Sequence, residues 1–480
     1  MSKRVAVIGA GPAGMTAAYV LTKSPANLDV NVYEASEQVG GLSRSLRLWN
    51  QIVDLGPHRF FSRDRRVNSL WLEVVGRDYV MVPRLTRILY QGRYFQYPLQ
   101  AMDALQRLGP LEATRCVASY GAARFKQPKD YCESFESWVT ARFGRRLYEI
   151  FFRTYSEKLW GIPCSELDSD FAAQRIRKLS LGAALKQLAV RRKNNEHRTL
   201  VDRFAYPNGG TGQVYERMAE MVQERGGRVH LGAHIKRVVA SAGRVRGIEL
   251  YSDEFVPCDA VISSMPLTSL IARLNGVPER IREMARRLSY RNTILVYLEI
   301  AGELDSRDNW VYVQDPGLTV GRITNFRNWS PSLYGNSPNT ILALEYWCNS
   351  DDELWRRSDG ELGRLGADEF RASRLASDAA DVLRSHVVRI PKSYPVYQRG
   401  YKDILRPIQE VLRSVEGLQA IGRYGAFKYN NQDHSILMGI LAAENVAAGT
   451  AHDLWQVNSD FEEYQEACRI DETGLVPAPC

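Results

Sequence analysis

Three glycines near the N-terminus have the spacing that the phosphates of a dinucleotide require. Gly9, Gly11 and Gly14 form a Gly-x-Gly-x-x-Gly pattern within the segment RVAVIGAGPAGMTAAYVL. The first glycine permits a tight turn, the second lets the backbone approach a pyrophosphate, and the third lets a helix pack closely on a strand. Glu34 lies 20 residues after Gly14, where its carboxylate can accept a hydrogen bond from a ribose hydroxyl. These residues predict a dinucleotide-binding site.

The residues around these glycines supply the strand, the turn and the helix that such a site needs, in that order. Residues 5–8 are a short apolar run, MTAAYVL is typical of a tightly packed helix, and Leu28–Tyr33 is a second predicted strand just before Glu34. Phosphates at the start of that helix would meet free backbone amides and the positive end of the helix dipole. The alternative, a glycine-rich turn that binds nothing, is disfavoured by this order of elements.

The size and composition of the chain are those of a globular protein with two or three structural units. Its 480 residues exceed what one hydrophobic core usually organises, and 45% of them are apolar. No apolar run reaches the roughly 18 residues of a spanning helix, and the first strand leaves no room for a secretory signal. We therefore expect a cytoplasmic protein without an integral membrane segment. Seven well-separated cysteines without a CxxC pair predict free thiols and no metal site.

The formal net charge of +8 leaves several anionic partners open, namely nucleic acid, an acidic membrane surface, or small anions such as diphosphates. The densest basic run is RRKNNEHR at 191–198, and no aromatic residue is interleaved with it for base stacking. A solvated loop or helix end is the favoured interpretation, so no nucleic-acid partner is expected.

Two further segments separate FAD from NAD, which share the first glycine pattern. EASEQVGGLSRS, with Gly40 and Gly41, resembles the second glycine signature of FAD oxidoreductases of the amine oxidase and protoporphyrinogen oxidase type. LQAIGRYGAFKYNNQDHSILMGILAAENVA resembles the C-terminal flavin signature of that superfamily, with Gly422 and Arg423 after a predicted strand at 418–421. The resemblance implies FAD, and a surface arginine is the alternative for Arg423. Paired glycines fit physically, because they remove the Cβ atoms that would collide with an extended cofactor.

The same resemblance implies a broader set of cofactor contacts, in which Ile235 brings backbone against the adenine and His58 lies beside the flavin. For His58, a hydrogen-bonded loop histidine is the alternative. The cofactor-binding residues implied are Gly9, Gly11, Pro12, Ala13, Gly14, Glu34, Ala35, Gly40, Gly41, Leu42, Ser43, Pro57, His58, Ile235, Gly422, Arg423, Asn431, Gln432 and Ser435.

We predict an α/β fold in which several segments of the chain assemble the cofactor domain, because both ends carry flavin signatures. A Rossmann-type FAD-binding domain would take residues 1–85, 200–264 and 396–450. A helical substrate or cap subdomain would take 86–199, an antiparallel β-sheet substrate domain 265–395, and a C-terminal extension 451–480.

A narrower resemblance covers most of the chain. It is carried by GPHRFFS (56–62), LYQGRYFQYPL (89–99), GRRLYEIFFRTYSEKLWGIPCSEL (144–167), YPNGGTGQVYERM (206–218), SYPVYQRGY (393–401) and GRYGAFKYNNQD (422–433). These blocks resemble, in the same order, successive blocks of the UDP-galactopyranose mutase family. That family interconverts pyranose and furanose forms of a nucleotide-diphosphate sugar, with reduced FAD as the nucleophile and no net redox change. The resemblance implies such a substrate here, with NAD(P)H or a reductase as a possible electron donor.

The mutase resemblance also assigns residues to the substrate. Arg322 would contact the diphosphate, since its planar fork suits phosphate oxygens, and together with His58 and Tyr394 it forms the implied catalytic set. Core packing is the alternative for the aromatic residues, and a partly exposed strand position for Arg322. The substrate-binding residues implied are Tyr155, Trp160, Arg175, Arg322, Tyr394 and Tyr429.

The sequence departs from the mutase pattern at several positions. Phe61 stands where the family usually has a second histidine close to the flavin, and Leu179 replaces a second arginine one turn after Arg175. Asn430 and Asn431 replace a tyrosine–aspartate pair. We expect Glu157 and Lys158, which are adjacent on a predicted helix, to be surface or interdomain charges.

These differences keep other functions open. An FAD oxidoreductase of the amine oxidase or protoporphyrinogen oxidase type, acting on a sugar or amine, is the main alternative. A flavoprotein with a scaffolding role is another. The sequence leaves the oligomeric state, monomer or dimer, undecided, as it does the sugar and a role in making polysaccharide or a glycosylated metabolite.

Overall fold

The computed structural model describes residues 2–99, 101–126, 133–171, 203–376, 380–458 and 468–477. The chain forms two compact units, each assembled from separate stretches of sequence. Unit 1 contains Met1–Val82, Phe204–Ser289 and Tyr401–Cys480, and unit 2 contains Pro83–Arg203 and Tyr290–Gly400. The basic run at 191–198 lies outside the described residues.

Unit 1 is built on a five-stranded parallel sheet. Its strands, in spatial order, are β19 (Leu418–Ala420), β13 (Ala260–Ser263), β1 (Lys3–Ile8), β2 (Leu28–Tyr33) and β9 (Arg228–His230). The central strand β1 is buried from Val5 to Ile8, because helices cover both faces of such a sheet and leave no solvent side for polar residues. The sheet joins the N-terminal, middle and C-terminal segments of the chain, and its strands end at the turns that carry the glycine patterns.

Helices α1 (Pro12–Lys23), α8 (Gln213–Glu224) and α16 (Gln432–Ala447) form the core of unit 1 with this sheet. Helices α1 and α16 approach each other closely in this core. A Cβ atom at Gly439 would lie 2.5 Å from the carbonyl oxygen of Ala13 and 2.8 Å from Cβ of Thr16. Gly439 therefore lets the C-terminal helix lie directly on the backbone of the first helix.

The remaining described elements of unit 1 are smaller. Strands β3 (Ser45–Leu48) and β4 (Gln51–Asp54) form a hairpin, β5 (Tyr79–Pro83) pairs with β8 (Arg203–Pro207), and a three-stranded antiparallel sheet joins β10, β11 and β12 at Ile235–Ser241, Arg244–Leu250 and Phe255–Pro257. A C-terminal hairpin contains β20 (Cys468–Asp471) and β21 (Gly474–Pro477). The other helices are α2 (Arg65–Val75), α9 (Leu267–Arg273), α10 (Glu279–Arg286), α14 (Tyr401–Arg413) and α15 (Gly422–Gly425).

Unit 2 is built on a seven-stranded sheet. Its strands, in spatial order, are β18 (Val382–Pro395), β14 (Tyr290–Ile300), β17 (Thr340–Cys348), β16 (Arg322–Asn325), β15 (Trp310–Val313), β6 (Thr86–Tyr90) and β7 (Arg93–Gln96). Neighbouring strands are antiparallel except β15 and β6, which are parallel. Strands β14 and β17 are buried along nearly their whole length, and their central residues are mainly apolar.

The described helices of unit 2 flank this sheet. They are α3 (Ala101–Leu108), α4 (Pro110–Lys126), α5 (Phe135–Phe143), α6 (Arg145–Tyr148), α7 (Thr154–Trp160), α11 (Pro331–Tyr334), α12 (Glu353–Arg356) and α13 (Asp359–Ser373). A π-helical turn at Glu149–Arg153 joins α6 to α7. Helix α13 packs its apolar side on the sheet, where Leu362 and Phe370 are buried.

The predicted α/β fold is confirmed, with a parallel sheet in unit 1 and a predominantly antiparallel sheet in unit 2. The described parts of 86–199 and most of 265–395 lie in one unit, because β6 and β7 complete the antiparallel sheet. Residues 265–289 lie in unit 1, where they form α9 and α10. Within the described ranges, no helix is long and apolar enough to cross a bilayer.

Two helical glycines provide a test of this packing. Replacing Gly439 with alanine should lower the free energy of unfolding by about 1–3 kcal/mol, because its Cβ would overlap the backbone of α1. Gly121 in α4 is the control, since a Cβ there meets nothing within 4 Å. Gly121→Ala should raise stability by up to about 1 kcal/mol through helix propensity. Urea denaturation measures both, and equal effects of the two substitutions would contradict the packing described.

Candidate functional site

The first glycine turn in unit 1 has the geometry of a phosphate-binding turn. Gly9 has a φ of +93°, and a Cβ on it would lie 2.3 Å from Oγ of Ser264. A Cβ at Gly14 would lie 1.9 Å from the carbonyl oxygen of Gly9. Both glycines are therefore required by the chain itself. The N-cap of α1, Gly11, makes no side-chain cap hydrogen bond, so the first-turn amides of α1 are placed to meet an anion.

Gly11 differs from its two neighbours because the protein leaves space beside it. A Cβ there would meet only the Cα of Gly41, at 3.8 Å, which is an ordinary contact. A Cβ on Gly41 would approach the Cα of Gly11 to 2.9 Å, and Gly40 donates its amide to the carbonyl of Ala10 at 2.8 Å. The two predicted glycine segments thus lie against each other and form a surface of bare backbone. An extended diphosphate fits such a surface.

Glu34 stabilises this turn with hydrogen bonds from its side chain. Its carboxylate accepts hydrogen bonds from the amide of Ala10 at 2.7 Å and from the amide and hydroxyl of Ser36 at 2.9 and 2.8 Å. The residue therefore lies at the expected end of β2, directly beside the glycine turn. Contact with a ribose remains a prediction for its remaining lone pairs.

Arg44 is a residue that the sequence analysis did not single out. It follows the paired glycines, and its Nε atom is buried with no hydrogen-bond partner among the residues that the structure describes. Burying a cationic N–H group without a partner is costly, and a diphosphate beside Gly40 and Gly41 would supply the missing acceptor. The sequence offered one signal for this arginine, namely a basic residue three positions after Gly41. The bare backbone and this arginine together fit FAD.

Gln432 joins three of the sequence blocks. Its side-chain oxygen accepts hydrogen bonds from the hydroxyls of Tyr215 at 2.7 Å and Thr211 at 3.3 Å, and its amide donates to the carbonyl of His58 at 3.1 Å. The first turn of α16 is thereby tied to the loop after β4 and to the start of α8. These hydrogen bonds bring together predicted cofactor residues that are far apart in sequence.

Asp54 is a fully buried carboxyl next to this junction. It accepts hydrogen bonds from the hydroxyls of Ser45 at 2.6 Å and Tyr206 at 2.7 Å and from the amide of Thr211 at 3.2 Å. Burial raises the pKa of Asp54 to about 6, although these hydrogen bonds act in the opposite direction. A Cβ at Gly210 would lie 2.4 Å from Oγ of Ser45, so this network also fixes the loop before α8.

The C-terminal signature reaches the first helix. A Cβ at Gly422, whose φ is +77°, would lie 3.0 Å from Cβ of Ala13. Arg423 donates to the carbonyl of Asn430 at 2.9 Å, and its guanidinium lies 4.8 Å from the ring centre of Tyr429. Arg423 and Tyr429 lie in unit 1. The other predicted substrate residues that the structure describes, Tyr155, Trp160, Arg322 and Tyr394, lie in unit 2.

The other predicted cofactor residues also lie in unit 1. The carbonyl of Ile235, at the start of β10, accepts a hydrogen bond from Arg273 at 2.9 Å. This carbonyl therefore already has a partner within the chain. Pro12 is the first residue of α1, Ala35 is exposed two residues after the end of β2, and Leu42 and Ser43 lie in a 3-10 turn. Pro57 lies in the loop after β4, and Asn431 and Ser435 lie at the N-cap and in the first turn of α16.

In unit 2, Arg322 forms a buried ion pair. Its Nε and Nη2 bind the two carboxylate oxygens of Glu345 at 2.6 and 2.5 Å, and the side chains are 14% and 2% exposed. Burial acts to lower the pKa of Arg322, but Glu345 and the nearby phenols of Tyr394 and Tyr155 outweigh it and raise that pKa well above its usual value. The fork expected to pair with a diphosphate is thus used by Glu345. Nη1 has no hydrogen-bond partner within the described ranges.

Aromatic rings surround this ion pair. The ring of Tyr155 packs edge-on against Tyr312 and Trp347, with centroid distances of 5.4 Å in both cases. Tyr394 continues the row, 6.3 Å from Trp347 and 6.2 Å from Trp160. Three of the predicted substrate residues therefore belong to one aromatic cluster, defined here as these five residues. Arg175, the remaining prediction for this unit, lies outside the described residues.

The expectation that Lys158 is a surface or interdomain charge is wrong. Its Nζ donates to the carbonyls of Asp315 at 2.7 Å and of Val313 and Val320 at 3.3 Å. Burial lowers the pKa of Lys158 to about 8. Glu157, by contrast, forms a partly exposed ion pair with Arg153, the last residue of the preceding π-helical turn, at 3.2 Å. Adjacent helical positions face different surroundings, which the sequence alone could not distinguish.

Gly161 explains the end of the YSEKLWG block. It has a φ of +67°, and a Cβ there would lie within 2.3–2.8 Å of three guanidinium atoms of Arg291. Arg291 is buried and donates to the carbonyls of Lys158 at 3.2 Å and Trp347 at 2.8 Å. Nη2 of this arginine therefore caps the end of α7, and Nη1 lies 3.6 Å from the carboxylate of Asp352. Across the described ranges, no cluster of three or more potential metal ligands occurs.

Comparisons with known proteins agree with this architecture. A profile described as flavin containing amine oxidoreductase matches residues 12–447. The coproporphyrinogen III oxidase of Staphylococcus aureus is 22% identical over 93% of this chain and 100% of its own length. A probable UDP-galactopyranose mutase of Klebsiella pneumoniae is 27% identical over 35% of this chain and 43% of its own length.

Among solved structures, a crystal structure of reduced UDP-galactopyranose mutase superposes with a TM-score of 0.84. The alignment covers 96% of this chain and 97% of that one, at 24% identity. This likeness shows a shared fold. It does not by itself transfer a substrate.

Asp54 gives this site a characteristic pH dependence. The folded carboxyl keeps its proton up to about pH 6, whereas the unfolded one loses it near its usual pKa of 3.8. The contribution of protonation to stability is therefore present below pH 3.8 and lost as the pH rises through about 6. We expect the wild type to lose about 2 kcal/mol relative to Asp54→Asn between pH 4 and pH 7. Urea denaturation across this range measures it, and a constant difference would contradict the assignment.

Proposed function

The chain belongs to the flavin-containing amine oxidoreductase family, and from this premise we propose that it is an FAD-dependent mutase of a nucleotide-diphosphate sugar. The enzyme would interconvert the pyranose and furanose forms of the sugar. The observation that carries the proposal is the surrounding of Arg322, where Tyr155 and Trp160 from one mutase-like block meet Tyr394 from another.

Unit 1 would hold the cofactor. Gly11 and Gly41 would receive the diphosphate of FAD on bare backbone, and Arg44 would supply the cation beside it. Glu34 would accept from the adenosine ribose while it keeps the turn in place. His58, whose carbonyl is fixed by Gln432, would lie on the flavin side of this unit. When bound and reduced, FAD supplies an electron-rich ring nitrogen able to attack an anomeric carbon.

Unit 2 would hold the substrate. The Arg322–Glu345 pair fixes one arginine edge, and Nη1 remains to bind an oxygen of the diphosphate. The hydroxyl groups of Tyr155 and Tyr394 would complete this polar site among apolar rings. Trp160 is fully buried against Tyr394, so its role is to support that tyrosine and not to stack on the sugar.

An oxidoreductase is the second candidate, and a specific observation favours it. The coproporphyrinogen III oxidase of Staphylococcus aureus aligns over its whole length, whereas the Klebsiella mutase aligns over 43% of its own. Phe61, which replaces a second histidine of the mutase pattern, is consistent with different flavin chemistry. This candidate predicts net reduction of the flavin by substrate.

A substitution at Gly11 tests FAD binding separately from the stability of the fold. Gly11→Ala should leave the stability of the apoprotein unchanged, because the new Cβ meets only ordinary contacts and the φ of −75° suits alanine. It should weaken FAD binding by roughly tenfold or more, because the methyl group would occupy the path of the diphosphate. Gly14→Ala is the control that should destabilise the apoprotein itself. Thermal denaturation and FAD titration measure the two effects, and undiminished FAD affinity in Gly11→Ala would refute the assignment.

The reaction class is tested by turnover of the purified protein. The dithionite-reduced protein should convert UDP-galactopyranose or dTDP-fucopyranose to a furanose form, detected by chromatography, without consuming reductant. Arg322→Lys should lower kcat/KM by roughly tenfold to a hundredfold, because lysine cannot keep the fork on Glu345, while the FAD content stays unchanged. Oxygen consumption with coproporphyrinogen III and no sugar conversion would support the oxidoreductase instead.

A further inference from the structure

A buried glutamine, Gln314, binds the helix that carries Tyr155. Its amide nitrogen donates to the carbonyl of Phe151 at 2.8 Å, and its oxygen accepts from the amide of Tyr155 at 3.2 Å. In a regular α-helix, the amide of residue 155 would bond to the carbonyl of residue 151. The carboxamide of Gln314 therefore binds both members of one rung of the helical ladder.

The helix is distorted at this rung. Glu149–Arg153 forms a π-helical turn, and α7 begins directly after it, at Thr154. A side chain that enters the ladder is one of the identifiable causes of such a distortion, and π-helical turns are frequent at functional sites. Gln314 is 5% exposed, so no solvent exchange competes strongly with these two hydrogen bonds.

Gln314 is itself held rigidly. The backbone N–H of Gln314 donates to the carbonyl of Leu89 at 2.8 Å, and this bond fixes the end of β15 to β6. One turn further along α7, Lys158 binds carbonyls of the same β15–β16 connection. On the other side of this connection, Glu369 accepts from the amides of Thr319 and Val320 at 2.5 and 2.8 Å. The connection is therefore fixed at both ends, and it leads directly into Arg322.

We propose that Gln314 is a positioning residue, which sets the place of Tyr155 against Tyr312 and Trp347 and so shapes the substrate site of unit 2. The two hydrogen bonds fix the backbone of Tyr155, and the edge-on ring contacts then define the direction of its hydroxyl. Its effect on substrate binding rests on the proposed function. Its effect on the helix does not.

The test compares Gln314→Leu with a matched control, Asn309→Leu. Asn309 is another buried carboxamide of unit 2 that binds one amide and one carbonyl, of Leu85 at 2.7 Å and Asn328 at 2.9 Å, neither of which belongs to α7. Residue-resolved hydrogen exchange of the FAD-loaded protein should show that the amide of Tyr155 exchanges roughly tenfold faster in Gln314→Leu and unchanged in Asn309→Leu. Gln314→Glu, which keeps an acceptor, should restore part of the protection.

The kinetic arm uses UDP-galactopyranose as the probe. Gln314→Leu should raise KM by roughly tenfold with kcat within roughly twofold of the wild type, and Asn309→Leu should change neither. Equal exchange at Tyr155 in both variants, or equal changes in KM, would overturn the proposal. If the wild type converts no nucleotide sugar, the proposed function fails, and the exchange comparison still decides whether Gln314 positions Tyr155.

Discussion

Close approach of backbone to backbone is the constraint on which unit 1 depends. The first and last helices of the unit meet where Gly439 has no side chain, and the turn before the first helix closes because Gly14 has none. Gly11 differs from these glycines, because among the described residues a Cβ on it would meet only the Cα of Gly41, at 3.8 Å. The same packing that stabilises the fold therefore leaves one strip of bare backbone for an extended, anionic cofactor.

Unit 2 is organised differently, by buried polar groups that pair across distant segments. Arg322 is held by Glu345 from the neighbouring strand, and Lys158 and Gln314 tie a helix to the connection between β15 and β16. Such pairs cost desolvation energy and stabilise only when the geometry is complete. Each pair also specifies one arrangement, because it fixes an aromatic or cationic side chain of the candidate substrate site. Tyr155 is the clearest example.

Local patterns in the sequence predict much of unit 1. Leu28–Tyr33 is the second strand as expected, and the three glycines lie in the turn that their spacing indicates. The apolar run SILMGILAA predicts a helix from about Ser435. The helix begins three residues earlier, at Gln432, because polar residues in its first turn bind other segments instead of extending the loop. Pairings between distant residues could not be predicted. Nothing near Lys158 in the sequence indicates the carbonyl groups that surround it, and the partner of Arg322 lies on another strand.

The proposed function requires this member of a flavin-containing family to bind FAD in unit 1. Heat denaturation of the purified wild-type protein, followed by chromatography of the released cofactor, tests it directly. We expect a yellow protein that releases FAD in an amount equimolar with the chain. A colourless protein that takes up no FAD on incubation would contradict it.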